Sequence, residues 1–372
     1  MKFSCEKAIL QSAVTTAGRV VAPKSSIQAL EGVLIEAGFG GLHLSGYNLE
    51  TGIVTRVSAD VAEDGAIVVS ARLFGEILRR MPDDVVSIQT DNCSIHIQCG
   101  PTSFDIMGSS DEDFPELPSV SDGDSFTIAQ ADLKAMIGQT IFAVSDNESR
   151  PIHTGALFET DGGQLTMVAV DGYRLALRRE KILSQDASGD LSFVVPGAAL
   201  SEVEKICADS DEPAAVTRGD RHVTFQMGDT LLVARRLEGE FLNYRQTIPQ
   251  NNAVVLEADA ADLQRSIDRA SLIINDKLKS PLRCKFEDGS LSITSKTAMG
   301  SAFDRCPITG DGGGLEIGFN NRFLMDAVKR APAQRLRLEL NTSTSPCLIL
   351  PQSGEPENFL YMVLPVRLRA SE

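Results

Sequence analysis

Apolar and polar residues alternate along this chain in three kinds of segment, and each kind occurs three times. The first kind is a short strand followed by an amphipathic helix, and its copies begin at Met1, Asp124 and Val254. In each predicted helix, apolar or small residues recur at i, i+4, i+7 and i+11, a spacing that places them on one helical face. These residues are Leu10, Val14, Ala17 and Val21, then Leu133, Ile137, Thr140 and Val144, then Leu263, Ile267, Ala270 and Ile274.

The second kind of segment is an apolar strand that leads into another helix. Its helices begin near Ser70, Pro196 and Asn320, residue types that favour a helix N-cap or a first turn. Their inward residues also share one face of each helix. These are Phe74, Ile77 and Met81, then Leu200, Val203 and Cys207, then Leu324, Ala327 and Ala331.

Hairpin-rich stretches are the third kind of segment. Strand residues alternate in them around a Gly-containing turn, as in VLIEAGFGGLHLSGYNLETGIVTRV. Each copy lies between a segment of the first kind and one of the second, so the same order of strands and helices occurs three times. We therefore predict three similar units at 1–120, 121–250 and 251–372.

This repeat predicts an α+β fold in which antiparallel strands carry two helices on one face of each unit. Such units have exposed edge strands, and tandem units can pair these edges with one another. A chain of similar units that rotate by similar angles curves, and it can close into a ring with a second copy. The pattern leaves open whether the sheets or the helices would face outward.

Charge narrows the possible partners. The formal net charge is −16, whereas a tight nucleic-acid binder is normally basic. Cations such as Arg19, Arg72 and Lys134 nevertheless lie on the polar sides of the predicted helices, and many acidic residues lie elsewhere. This separation fits a channel that tolerates a phosphate backbone, and it also fits ordinary solvated helix faces.

Cysteine usage and apolar runs indicate the compartment. The chain has seven cysteines, an odd number, and no C-x-x-C pair, so we expect buried, unreactive thiols in a reducing cytoplasm. The first residues lack a sustained apolar run, so we expect no signal peptide. No run approaches 18 apolar residues, so we expect no membrane span.

No catalytic or metal-binding pattern stands out. The four histidines are scattered without metal-ligand spacing, and no phosphate-binding or nucleophile-elbow motif is present. Asp171 beside Arg174 is compatible with a catalytic pair, although a turn with a local ion pair is simpler. We predict a protein that is not an enzyme and has no cofactor and no metal. The alternatives are a repeat scaffold that binds proteins only, and a hydrolase with an unrecognised site at Asp171 or His153.

Three further motifs carry a resemblance to a known family. VAVDGYRLALRRE follows the strand TGALFE, FNNRFLMDAV begins at Phe319, and YMVLPVRL stands near the C-terminus. Together with the threefold repeat, and in this order, they resemble the bacterial DNA sliding clamps, the beta subunits of the replicative DNA polymerase III, over essentially the whole chain.

The resemblance implies a head-to-tail homodimer of three-domain chains, so that six similar domains encircle duplex DNA. Helices would line the hole, and antiparallel sheets would form the outer wall. The ring would act as a processivity factor that tethers the polymerase by topology, without sequence-specific contact. Its partners would be the polymerase catalytic subunit, the clamp loader and other proteins with a clamp-binding motif, and no membrane.

The resemblance also implies three sets of site residues. DNA contacts would involve Lys24, Arg72, Asn147 and Arg150, and the dimer interface would join Phe104 and Ile106 of one chain to Leu272 and Ile273 of the other. A cleft for partner peptides would lie between the second and third units. It would contain His153, Val170, Gly172, Tyr173, Arg174, Leu175, Leu242, Thr247, Leu278, Asn320, Phe323, Thr344, Pro346, Met362, Val363, Leu364, Pro365, Val366, Arg367 and Leu368.

Several positions depart from the family pattern. Tyr173 stands where the family usually has His, and Leu242 and Gln246 stand where Pro and Arg are common. Residues 197–199, GAA, replace a basic pair found in some clamps. The resemblance therefore predicts the fold and the ring more firmly than the peptide preference of the cleft.

Overall fold

Helices and strands repeat in the predicted order in each third of the chain. A computed structural model describes residues 1–120, 123–187, 189–274 and 280–368. Short 3-10 helices lie at Gly18–Val20, Gln28–Glu31, Asp111–Asp113, Ile141–Ala143 and Pro151–Thr154. The elements of the first third are β1 (Lys2–Glu6), α1 (Lys7–Ala17), β2 (Gly32–Gly38), β3 (Gly41–Tyr47), β4 (Thr51–Val57), β5 (Asp60–Glu63), β6 (Gly65–Ser70), α2 (Ala71–Arg80), β7 (Val85–Asp91), β8 (Ser94–Cys99) and β9 (Thr102–Met107).

The second part of the chain repeats this sequence of elements and adds a short helix at its end, and the described residues of the third part repeat it without a counterpart of β5. The second part has β10 (Asp124–Ala129), α3 (Gln130–Gly138), β11 (Gly155–Asp161), β12 (Gln164–Val170), β13 (Arg174–Lys181), β14 (Ser184–Asp186), β15 (Ser192–Pro196), α4 (Gly197–Ile206), β16 (Pro213–Arg218), β17 (His222–Met227), β18 (Thr230–Arg235) and α5 (Tyr244–Thr247). The third part has β19 (Val254–Asp259), α6 (Ala260–Ser271), β20 (Leu282–Glu287), β21 (Ser290–Thr297), β22 (Gly300–Thr309), β23 (Leu315–Phe319), α7 (Asn321–Arg330), β24 (Arg335–Leu340), β25 (Cys347–Pro351) and β26 (Phe359–Val363).

The predicted helix starts are set by local capping. The Ser70 side chain accepts a hydrogen bond from the Leu73 N–H at the start of α2, and Asn320 accepts from Arg322 and Phe323 at the start of α7. These side chains satisfy N–H groups that the first helical turn leaves unpaired. The equivalent helices α2 and α7, in the first and last thirds of the chain, therefore both begin at a capping side chain that precedes their apolar stripe.

Two compact units result from the way the strands pair. The first unit comprises Met1–Lys134, Ile182–Gly189 and Ala198–Arg236. It contains a five-stranded sheet with the order β5-β1-β7-β8-β9 and a nine-stranded sheet with the order β14-β10-β16-β17-β18-β4-β3-β2-β6. In the nine-stranded sheet β4 and β18 pair antiparallel, with Thr55 opposite Thr230. This ladder joins strands of the first third to strands of the second.

The second unit comprises Ala135–Lys181, Asp190–Gly197 and Leu237–Glu372. Its twelve-stranded sheet has the order β15-β11-β12-β13-β26-β25-β24-β19-β22-β21-β20-β23. Here β13 and β26 pair antiparallel, with Leu175 opposite Met362. The prediction that tandem units pair their edges is thus confirmed within each compact unit.

The predicted helical stripes form the cores. In the first unit α1 packs against α2, and Leu10, Val14 and Phe74 are buried in one cluster with residues of the strands. In the second unit α6 packs against α7, and Leu263 and Leu324 are buried. Gly46 on β3 shows how closely α1 approaches the sheet, because a Cβ there would lie 1.9 Å from the Ala17 carbonyl oxygen. The packing of α1 therefore requires glycine at this position.

All seven cysteines are free, as the sequence predicts, and six of them are buried. Burial raises the pKa of Cys207 and of Cys347 to about 12, so neither thiol forms the reactive thiolate at neutral pH. Cys93 is partly exposed.

We expect one fast-reacting thiol in the native protein. Titration with a thiol reagent at pH 8 should label Cys93 within minutes and the other six only after denaturation, because thiolate formation and access both control the reaction. The Cys93→Ser variant is the control and should show no fast phase. Rapid labelling of two or more thiols in the wild-type protein would contradict the described burial.

None of the helices within the described parts of the chain combines the length and the apolar character that crossing a membrane requires.

Candidate peptide-binding cleft

An apolar cluster lies on one face of the twelve-stranded sheet in the second unit. Because side chains alternate along a strand, Leu175 and Leu177 of β13 share this face with Leu360 and Met362 of β26. The segment that follows β18 covers part of the cluster through Leu237, Phe241, Tyr244 and Ile248. Partly buried apolar side chains at its rim leave a surface suited to an extended peptide.

The covering segment is fastened to β11 by a polar contact. The Tyr244 hydroxyl donates a hydrogen bond to Glu159 Oε2 at 2.8 Å, and the Arg245 guanidinium binds the same carboxylate. Burial raises the pKa of Tyr244, and the nearby Glu159 carboxylate raises it further. The phenol therefore stays protonated and keeps donating at neutral pH.

The turn between β12 and β13 is fixed by one carboxylate. Asp171 Oδ1 accepts the N–H groups of Tyr173 at 2.8 Å and Arg174 at 3.0 Å, and Gly172 between them has a positive φ of 92°. Asp171 Oδ2 pairs with Arg174 Nε at 2.8 Å. The carboxylate thus serves the turn and a local ion pair, which is the simpler of the two sequence interpretations.

Arg174 also connects this turn to α7. Its Nη1 lies 2.6 Å from Asp326 Oδ2, and its guanidinium lies 4.5 Å from the Phe323 ring centroid and 5.5 Å from that of Phe142. The Tyr173 ring stacks on Phe323 with centroids 6.0 Å apart and planes 22° apart. Ring and cation–π contacts therefore link Tyr173, Phe323, Arg174 and Phe142 pairwise, and we call this group the aromatic stack.

The residues after β26 lie across the same region. The Leu364 N–H donates to the Tyr173 carbonyl at 2.9 Å, and the Val366 N–H donates to the Gly318 carbonyl at 2.7 Å. A Cβ on Gly318 would lie 2.6 Å from Leu368 Cδ2, so the absence of a side chain lets the C-terminal segment approach β23. Backbone pairing therefore holds this segment in place, although chain ends usually fray.

A cavity of about 510 Å³ opens beside the C-terminal segment. Leu364 lines this cavity and also packs against the apolar cluster, so the two surfaces are continuous. The remaining lining residues combine apolar side chains with amides, two hydroxyls and a guanidinium. They are Tyr173, Ile274, Ser280, Pro281, Asn320, Asn321, Arg322, Phe323, Pro365 and Val366.

The structure brings most of the predicted cleft residues to these two surfaces. Val170, Leu175 and Met362 are buried in the apolar cluster and form its floor, and Thr247 donates a hydrogen bond to the Tyr244 carbonyl at 2.8 Å. His153 contacts Phe241 edge-on at 5.7 Å, and its pKa is lowered by burial and then by the charge of Arg150. The predicted residues at the cavity are Tyr173, Asn320, Phe323, Leu364, Pro365 and Val366.

Other predicted cleft residues lie elsewhere. Val363 is fully buried and alternates with Met362 and Leu364, so its side chain points to the opposite face of the sheet, where a peptide cannot reach it. Thr344 is exposed in the turn before β25, and Pro346 leads into that strand. Two further positions, Leu242 and Arg367, are exposed, and Leu278 lies outside the described residues.

The predicted DNA-contacting and dimer residues lie at exposed or partly exposed positions. Lys24 and Arg72 belong to the first unit, whereas Asn147 and Arg150 belong to the second, and all four are exposed. Phe104 and Ile106 lie on β9, an edge strand of the five-stranded sheet. Leu272 and Ile273 follow α6, and Leu272 is 78% exposed.

Sequence reasoning missed several residues at the aromatic stack and near the exposed edge of β22. Phe142 and Asp326 complete the aromatic stack and its ion pairs, and neither stands at a recognisable distance from Arg174 in the sequence. Phe303 on β22 and the preceding Met299 are large apolar residues that are more than half exposed. The sequence signal for these two was a large apolar residue among polar or small neighbours, on β22 for Phe303 and in the turn before it for Met299.

Replacing Arg174 should destabilise the second unit. Arg174→Ala leaves Asp171 and Asp326 without their shared cation and removes two ring contacts, so we expect a loss of about 3 kcal/mol in the free energy of unfolding. Arg174→Lys should recover less than half of this loss, because an ammonium group cannot stack or bind two carboxylates in a planar fork. Chemical denaturation checks both values, and full recovery by lysine would contradict the stacking argument.

Comparison with known proteins covers the whole chain. Three family models match in succession, namely the N-terminal domain of the DNA polymerase III beta subunit at 1–118, its central domain at 127–243 and its C-terminal domain at 245–367. A Synechococcus elongatus protein named beta sliding clamp is 29% identical over 378 residues, which cover 100% of both chains.

Solved structures agree with these matches. A crystal structure from Eubacterium rectale, described as a DNA polymerase III beta subunit, is 31% identical with a TM-score of 0.92. The DNA polymerase sliding clamp from Bacillus subtilis is 27% identical with a TM-score of 0.93. Each alignment covers 99% of this chain and 100% of the other.

Proposed function

Since this chain belongs to the DNA polymerase III beta subunit family, the sliding clamps, we propose that it is a processivity factor that encircles duplex DNA as a head-to-tail homodimer. Members of this family are non-catalytic subunits of DNA polymerase III. The ring would hold the polymerase on DNA by geometry and would function in the cytoplasm.

The pairing of equivalent strands is the observation that carries this proposal. The strands β4, β13 and β22 occupy the same place in the three thirds of the chain, and so do β9, β18 and β26. Within the chain β4 pairs with β18 and β13 pairs with β26. Among the described ladders, β9 pairs only with β8, and β22 leaves most of its outer edge unpaired. A second copy would therefore complete the series by pairing its β9 with β22.

Exposed apolar residues support this third junction. Phe104 and Met107 are exposed on β9, Phe303 is exposed on β22, and Leu272 is exposed directly after α6. The Arg269 guanidinium of α6 bonds to Asp304 of β22 at 2.6 Å, which holds these two elements together. Exposed apolar side chains along an unpaired strand edge promote aggregation. A second copy that pairs with this edge would cover them.

The cleft would bind the polymerase catalytic subunit, the clamp loader and other proteins that carry a short clamp-binding peptide. The predicted residues that support this proposal are those at the apolar cluster, Val170, Leu175 and Met362, and those at the cavity, among them Tyr173, Asn320 and Phe323. Lys24, Arg72, Asn147 and Arg150 would contact DNA from exposed positions. The chain has 51 Asp and Glu against 35 Lys and Arg, and this excess of negative charge would weaken its attraction to phosphates, which suits a ring that slides.

Retention on circular DNA tests the proposal. The protein, loaded by its clamp loader onto a nicked plasmid, should remain bound in a gel-filtration column and should leave when a restriction enzyme cuts the circle. Native mass spectrometry should show a dimer at micromolar concentration. A monomer at that concentration, or binding that survives linearisation, would refute the ring.

A further inference from the structure

We propose that Met107 of one copy and Met299 of the other face each other across the proposed β9–β22 junction, and that oxidation of these thioethers by peroxide opens the junction. This inference rests on the proposed function, because it concerns the junction between two copies. It assigns a modification site whose chemistry the ring itself does not require.

Equivalent residues of β4, β13 and β22 can be identified from the hairpins before them. The strands β3, β12 and β21 each follow a two-residue turn, and each then pairs with the next strand. The residues opposite the fourth position of these strands are Thr55, Arg178 and Asp304. The residues that stand five positions earlier, and are therefore also equivalent, are Glu50, Tyr173 and Met299.

Equivalent residues of β9, β18 and β26 follow from rows of paired residues across the sheets. The rows start at Phe3, Phe126 and Leu256, each of which stands four residues before the first helix of its third. They end on Phe104, Leu232 and Tyr361. The residues that stand three positions later, and are therefore also equivalent, are Met107, Arg235 and Leu364.

Both ladders within the chain end with the same backbone hydrogen bond at these equivalent positions. The Arg235 N–H donates to the Glu50 carbonyl at 2.9 Å, and the Leu364 N–H donates to the Tyr173 carbonyl at 2.9 Å. In the β9–β22 pairing the corresponding bond joins the two methionines. Residues directly opposite each other on antiparallel strands have Cβ atoms about 5 Å apart, so the two thioether side chains are in contact.

These two methionines are also the most accessible in the chain. Met107 is 71% exposed and Met299 is 74% exposed, whereas the other seven of the nine methionines are buried or partly buried. Access favours the oxidation of a thioether. Peroxide therefore reacts first with Met107 and Met299 in a chain whose β9 and β22 edges are open.

Oxidation turns an apolar contact into a polar one. Hydrogen peroxide transfers one oxygen atom to the sulfur, its O–O bond breaks, and water is released. The sulfur loses two electrons to the peroxide and becomes a sulfoxide. Covering a sulfoxide removes its hydration, which costs free energy unless a hydrogen bond replaces it, so the paired state is disfavoured. Methionine sulfoxide reductases reverse the change, and the junction can then close again.

Peroxide treatment of the full chain tests the inference. All samples carry Cys93→Ser, because this partly exposed thiol would also react. Peptide mass spectrometry should find that Met107 and Met299 are the first residues converted to sulfoxide. Native mass spectrometry should then show that the dissociation constant of the dimer rises about 10- to 100-fold. Retention on nicked circular DNA should fall in parallel.

Each variant is compared with its own untreated sample. A chain with both Met107→Leu and Met299→Leu has apolar side chains that peroxide does not modify, so treatment should change its dissociation constant by less than about twofold. Met325→Leu, at a partly buried position on α7, is the matched control and should respond to peroxide as the parent chain does. A methionine sulfoxide reductase should restore the dimer of the treated parent chain.

The outcomes separate two failures. An untreated chain that is monomeric at micromolar concentration contradicts the proposed ring itself. If the dimer is unaffected after both methionines are fully converted, the oxidation site is overturned and the ring stands. The same holds if the chain with both leucine substitutions dissociates on treatment as the parent chain does, or if other methionines are oxidised before Met107 and Met299.

Discussion

Ending the chain after Val363 is expected to lower its affinity for a cleft-binding peptide by at least about 100-fold while the dimer stays intact. The cut removes Leu364 from the apolar cluster and Pro365 and Val366 from the cavity wall. A bound peptide would cover these three partly exposed apolar side chains, and full burial of one such side chain contributes about 1.5–3 kcal/mol, so their loss is expected to reach the roughly 2.7 kcal/mol that corresponds to 100-fold. Fluorescence anisotropy with a labelled peptide measures the change.

The position of the cut follows from the sheet. Met362 and Val363 belong to β26, which pairs with β13 on one side and β25 on the other. An earlier cut would open the twelve-stranded sheet and confuse unfolding with loss of the cleft. Val255→Ala, at a half-exposed position on β19, is the control and should bind normally. Unchanged affinity of the shortened chain would show that the cleft lies elsewhere.

The second large effect is expected at the proposed junction between copies. Leu272→Asp should raise the dissociation constant of the dimer by at least about 1,000-fold, because an unpaired carboxylate in an apolar interface costs several kcal/mol. The fold of the chain should survive, since Leu272 is 78% exposed in the single chain. Native mass spectrometry and retention on nicked circular DNA should both report the loss.

A matched variant separates the interface from general charge effects. Leu183→Asp introduces the same carboxylate at a residue that is 60% exposed and is not predicted to meet the second copy. It should dimerise and remain on circular DNA like the wild type. A Leu272→Asp protein that stays dimeric would contradict the pairing of β9 with β22.

The sequence predicted the parts of the fold that depend on local periodicity. The stripes at Leu10, Leu133 and Leu263 mark helices that bury them, and Ser70 and Asn320 cap helices where expected. These features follow from residue spacing and from the chemistry of single residues, so they can be predicted without information on long-range contacts.

Long-range pairing was less accessible to sequence reasoning. The three family models match the three predicted units in succession, whereas the β4–β18 and β13–β26 ladders draw strands of the central third into two different compact units. The boundaries at 120 and 250 stay predictions. Edge pairing was foreseen as a possibility, but which edges meet depends on contacts across more than 170 residues.

The cleft shows the same division. The motif around Asp171, Gly172 and Arg174 predicted a turn, and the structure shows how one carboxylate builds it. The link from Arg174 to Asp326 spans 152 positions and has no periodic signal. Val363 was predicted as a cleft residue because its neighbours in the motif are cleft residues. Strand alternation instead turns its side chain away from the face that Met362 and Leu364 share.

The ladder between β4 and β18 and that between β13 and β26 are each backed by a covalent linker, but the proposed pairing of β9 with β22 has none. When a linked seam separates thermally, its tether keeps the two edges at millimolar effective concentration, so the seam recloses at once. The unlinked seam has no such return path. In the proposed ring, the β9–β22 pairing is therefore the junction that would open to admit DNA, even where all three junctions are equally stable.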